Sequence, residues 1–147
     1  MPHVRQQIRA KIVALLASGV PLVSSRVYGS RVYALTEADL PSITVYTGRE
    51  TSQIITIGSK TLQRTASISV DIYARATSNL DNDLDAICVE VEEALAADFK
   101  LSGLAKSIVL SGTDIDYSGE SEQPVGTARL NFDVVYNTLI GDVETAR

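Results

Sequence analysis

The chain has no tryptophan, one cysteine, one histidine, two phenylalanines and four prolines in 147 residues. Each scarcity removes a class of explanation. With Cys88 alone, no internal disulfide can form. With His3 alone, and beside the N-terminus, neither a histidine-based catalytic triad nor a multi-histidine metal site can be built within one chain. No run approaches the ~18 apolar residues of a membrane span. Residues 1–10 carry charges and lack the apolar stretch of a secretory signal, so the expected compartment is cytoplasm-like. Gly112 and Gly119 match neither a dinucleotide fingerprint nor a phosphate-cradling P-loop. The six tyrosines are spread over strand-like segments among apolar neighbours, which suits core and interface positions better than a base-stacking platform.

What is present is an ordinary globular balance, 45% apolar and 21% charged. The length fits one domain, 1–147, and at this size folding buries roughly 68–70% of the surface an unfolded chain exposes. The net charge of −5 is unevenly placed: residues 1–75 hold 9 Lys+Arg against 4 Asp+Glu, and residues 76–147 hold 4 against 14. Two readings stand. The charges average out if strands from both halves share one sheet, or oppositely charged faces of neighbouring copies meet head to tail, as in a ring. The acidic total argues against tight nucleic-acid binding, which needs clustered Lys and Arg.

Apolar periodicity gives the elements. Val4, Ile8, Ile12, Leu15 and Leu16 recur at three- and four-residue spacing, predicting a helix over 3–18, with Gly19 as a left-handed stop and Pro21 preventing its resumption. Residues 23–34 lean toward strand, and 42–47 form a clearer one. The segment 48–60 reads either as a long loop whose isoleucines bury against a partner or as a hairpin extension of the flanking strands. Residues 61–75 alternate strictly and predict a strand of roughly 50 Å, long enough to project beyond the domain or pair with a neighbouring copy. A helix follows over 79–97, with Ser78 as N-cap and a stripe of Leu80, Leu84, Ile87, Cys88, Val91, Ala94 and Leu95. Strands over 107–117 and 126–138 form a closing hairpin around a polar connection, and residues beyond about 140 read as a flexible tail. The order predicts an α+β fold: a mostly antiparallel sheet with two main helices packed on one face.

The search for chemistry yields little. Asp81, Asp83, Asp85 and Glu92 imitate the spacing of a calcium loop, but Ala86 stands where that loop needs glycine, and the apolar helical stripe runs straight through. The acids then favour the positive end of the helix dipole and keep a face soluble. Cys88 lies on the buried stripe and reads as a small hydrophobe. No convergent polar set suggests an enzyme.

The segments VRQQIRA at 4–10, RVYALTEADLPSITVYT at 31–47, LDNDLD at 80–85 and ARLNFDVVY at 128–136, with the long strand 61–75, resemble the tail terminator proteins of long-tailed bacteriophages, the minor tail protein U group. The resemblance implies a homo-hexameric ring without cofactor or metal. Such a ring caps the tail tube, stops tube polymerisation and offers a surface to head-completion or neck proteins, while DNA passes through without specific binding. It implies no membrane contact, assembly in the host cytoplasm and residence in the tail-neck region of the virion. On that reading Arg49, Glu50, Thr51, Ile54, Ile55 and Ile57 are candidates for tube contact. Arg64, Asp71, Arg75, Asp85 and Glu92 are candidates for contact between subunits, and Glu120 and Glu122 for the lumen. The alternatives are a head-to-tail connector that joins without terminating, and a small α+β binding module unconnected with phage.

Burying each large apolar residue of the second stripe contributes roughly 1.5–3 kcal/mol. Leu84→Asp is therefore expected to unfold the domain; a thermal melting curve unchanged by it would refute the stripe.

Overall fold

In the computed structural model, residues 2–23, 26–29, 41–58, 60–75, 80–118 and 125–147 are described. Helix α1 (Val4–Gly19) is followed by a 3-10 turn (Pro21–Val23), the short strand β1 (Val27–Tyr28), β2 (Ser42–Thr56), β3 (Thr61–Arg75), helix α2 (Leu80–Ala97), a second 3-10 turn (Leu101–Gly103), β4 (Ser107–Ser118) and β5 (Val125–Leu139). The strands form one sheet in the order β1-β2-β3-β5-β4, antiparallel except for the parallel β1–β2 pair. This is the expected α+β architecture.

The core lies between the sheet and the two helices. Strand side chains alternate between faces and cross-strand partners share a face. Ile68, Val70 and Ile72 of β3 and Ala128, Leu130, Phe132 and Val134 of β5 are all buried, and they stand opposite one another in the register Ile68↔Phe132, Val70↔Leu130, Ile72↔Ala128. Onto them pack Val4, Ile8, Ile12 and Leu16 from α1, and Leu84, Ile87, Cys88, Val91 and Leu95 from α2. Residues 81–92 thus run as continuous helix, which removes the conformation a calcium loop needs. Ser78 and Asn79, the expected start of α2, lie outside the described residues. Most of 23–34 also does; the part described contributes β1 and the 3-10 turn at its start.

Three expectations are corrected. Gly19 does not end α1 in a left-handed conformation; it remains helical. Its missing side chain lets α2 approach, since a Cβ there would lie 2.9 Å from the Ala94 Cβ. Strand β3 does not leave a length free for a neighbouring copy, because it is paired along its course by β2 on one side and β5 on the other. The segment after 140 is not a loose tail. Gly141 takes a positive φ of 86°, and the chain folds back so that Val143 O accepts from Val4 N at 2.8 Å and Asn137 O accepts from Arg147 N at 2.8 Å. These bonds also occupy one of the free N–H groups at the start of α1.

His3 caps the same helix: its Nδ1 accepts from Arg5 N at 3.0 Å. Only an unprotonated nitrogen can do so. Burial, then the charges of Arg5 and Arg64, hold its pKa below the ordinary 6.5. Between the lowered folded value and 6.5 the unfolded chain binds more protons, so stability rises with pH there. The contribution is complete above pH 6.5 and declines as the pH falls below it. His3→Asn keeps a capping acceptor without titrating; comparing denaturation midpoints between pH 7.5 and 5, the wild type should lose more than the variant.

Candidate interaction surface

The segment 48–60 adopts the hairpin alternative. β2 continues to Thr56 and pairs with β3 as far as Thr56↔Thr61. A bulge interrupts the register: Thr47 pairs with Ile68 and Glu50 with Ala66, leaving Gly48 and Arg49 together opposite Ser67. A strand bulge shifts which side chains face inward. Before it, the odd residues Ile43 and Val45 face the helices; after it, Glu50 does.

Glu50 is the hub that results. Its carboxylate accepts from Arg5 Nη1 at 2.7 Å, from Arg64 Nη1 at 3.3 Å and from the Tyr136 hydroxyl. Arg64 Nε donates to Thr138 Oγ1 at 3.0 Å. The Glu50 and Arg64 side chains are each 13% exposed. Burial first, and then the bond to Glu50, push the Tyr136 hydroxyl pKa up. This knot joins α1, β2, β3 and β5 at the base of the hairpin. Beyond it the hairpin is open to solvent: Ile54, Ile55 and Ile57 are 58%, 42% and 91% exposed. Arg49 and Thr51 are exposed as well. Of the residues assigned to tube contact, all but Glu50 thus lie on the surface.

The candidates for contact between subunits divide. Asp71 is 1% exposed and satisfied within the chain. It accepts from Arg129 Nε and Nη2 at 2.9 and 3.2 Å, from the Tyr46 hydroxyl at 3.0 Å and from the Tyr73 hydroxyl at 3.4 Å. The bond to Asp71 raises the Arg129 pKa, while burial and then the Asp71 charge raise that of Tyr46. Arg64 belongs to the Glu50 hub. Asp85 and Glu92 are exposed, seven residues apart on one stripe of α2. Glu92 lines a groove of about 250 Å³ with Leu95, Ala96, Ile108, Leu110 and Phe132, between α2 and β4. Beside this stripe the Cys88 thiol is pushed up to about 11 by burial and then by Asp85 and Glu92. The Arg75 side chain, Glu120 and Glu122 lie outside the described residues. Among the described residues no three metal-ligating side chains converge, and no helix is long and apolar enough to cross a membrane.

Sequence reasoning missed Arg5, Tyr136, Thr138 and Arg129. The available signal was Gly48 inside a strand pattern, a mark of a bulge. Counting side-chain parity through it would have turned Glu50 inward, toward two arginines.

Residues 3–136 match the family model described as phage minor tail protein U. The chain belongs to that family. The tail protein is accordingly a structural component of a phage virion. Its fold is similar to a chain in the structure titled "Virion of native gene transfer agent (GTA) particle", at 15% identity and a TM-score of 0.40, over 90% of this chain and 92% of that one. No curated protein sequence matches it.

Glu50→Ala would leave Arg5 and Arg64 facing each other and the Tyr136 hydroxyl without its acceptor. Removing one partner of a largely buried pair costs about 3 kcal/mol. Urea denaturation should show a loss of that order, with faster proteolysis of the hairpin.

Proposed function

We propose that this minor tail protein is a tail terminator. Copies of the chain, six to a ring, cap the tail tube and end its polymerisation, and the opposite surface of the ring receives a head-completion or neck protein. Family membership over residues 3–136 supports the setting. The observation that carries the reading is the hairpin beyond Glu50. Ile54 and Ile55 on the outer strand β2, and Ile57 in the turn that follows it, stand exposed at an end of the sheet whose base is fixed by ion pairs. Natural edge strands are ordinarily blunted with charge or covered; an apolar projection in an assembly protein marks a contact with another protein. Held at its base, it meets a tube with little conformational entropy left to lose.

The chemistry assigned to the ring is recognition. A net charge of −5 repels the phosphate backbone, so DNA traverses the bore without adhering. The host cytoplasm is the place of assembly and the tail-neck junction the final position.

The test is made in the phage itself. Tails assembled with protein lacking residues 53–57, or carrying Ile57→Asp, are measured by electron microscopy. Uncapped tubes of irregular, excessive length are expected. Tubes of normal length with both variants would overturn the assignment of the hairpin to capping.

A further inference from the structure

The uneven charge of the sequence becomes a geometric fact in the sheet. The order β1-β2-β3-β5-β4 sends the basic first half of the chain to one edge and the acidic second half to the other. On the first edge, α1 lies against β2: Arg5 reaches Glu50, and Arg9 Nη1 donates to Thr47 Oγ1 at 3.3 Å. Arg26 leads into β1, where its carbonyl accepts from Ile43 N, and Arg49 is exposed in the bulge of β2. Arg9, Arg26 and Arg49 have no carboxylate partner among the described residues. On the other edge, Glu92 of α2 lines the apolar groove, Asp85 lies on the same exposed stripe of α2, and Asp114 is exposed on β4.

Both edges also carry unpaired backbone. Among the described residues β4 pairs only with β5, and β1 covers β2 only at Ile43 and Thr44, leaving the rest of β2 paired on one side. Exposed strand edges are templates for another chain. Val109 and Ile115, at 59% and 46% exposure, leave the β4 edge apolar as well.

We propose that the acidic α2–β4 flank of one copy docks against the basic α1–β1–β2 flank of a second copy of this chain. Like charge excludes the two-fold alternatives: acidic flank on acidic flank, or basic on basic, would set like charges together. The surviving contact is head to tail. Such a contact repeats, and it closes into a ring when its rotation allows. The inference rests on the ring reading above and names the surfaces that make it.

The experiment uses two charge-reversed full-length proteins, Asp85→Lys with Glu92→Lys, and Arg9→Glu with Arg49→Glu. Circular dichroism checks folding, and light scattering reads native mass at several protein concentrations in low salt. Should the Arg9 change disturb folding, Arg49→Glu alone carries the test, because Arg49 is exposed. Wild type is expected to assemble, more weakly at high salt. Each folded variant alone is expected to stay monomeric, and an equimolar mixture to recover the assembled mass, since each then offers the charge the other lost. Variants that assemble alone as wild type does would overturn the flank pairing while leaving the ring intact. So would folded variants that fail to rescue one another. A wild type that stays monomeric at every concentration, with and without tube protein, would overturn both readings.

Discussion

Strands β3 and β5 pair along fifteen consecutive positions, and everything else in the molecule is placed relative to that ladder. Its helix-facing side is apolar through the central stretch, so both helices must lie on the same face to cover it. Its other side carries polar groups that find partners within the sheet: Ser69 with Asn131, and Asp71 with Arg129. A buried carboxylate without such a partner would be strongly destabilising. The ladder therefore fixes both the hydrophobic layer and the polar layer, and the outer strands extend from it toward opposite edges.

The strongest sequence signals were those with an uninterrupted period. The alternation in 61–75 and 126–138 and the stripe from Leu80 to Leu95 were legible because the side chains on one face share one environment. Legibility ended where one residue served two purposes. Gly19 has the composition of a helix stop, but it stays helical and its missing side chain makes room for Ala94. Residues 140–147 carry no periodic pattern because their ordering comes from backbone bonds to Val4 and Asn137, which side-chain identity does not encode. Segment 48–58 looks like a loop because its outward residues are polar and its apolar ones are exposed, so burial contributes no period.

The candidate sites follow the same division. Asp85 and Glu92 were recognisable as surface acids because an amphipathic helix declares its outer face. Asp71 and Arg64 were not recognisable as internal partners, because Arg129, which donates to Asp71, and Thr138, which accepts from Arg64, lie 58 and 74 positions away and are brought near only by the β3–β5 register. The meaning of the charge asymmetry likewise depended on strand order. Had β4 inserted between β2 and β3, the acidic and basic halves would have interleaved.

The two residues opposite Ser67 divide β2 into parts with different obligations. Toward Ser42 its side chains answer to the core, where one methylene too many or too few is felt. Toward Thr56 they answer only to whatever approaches from outside, since the parity change has already spent the inward direction on Glu50. Composition at the far end can therefore vary to suit a different partner without repacking the interior, which lets one scaffold change its binding preference while keeping its fold.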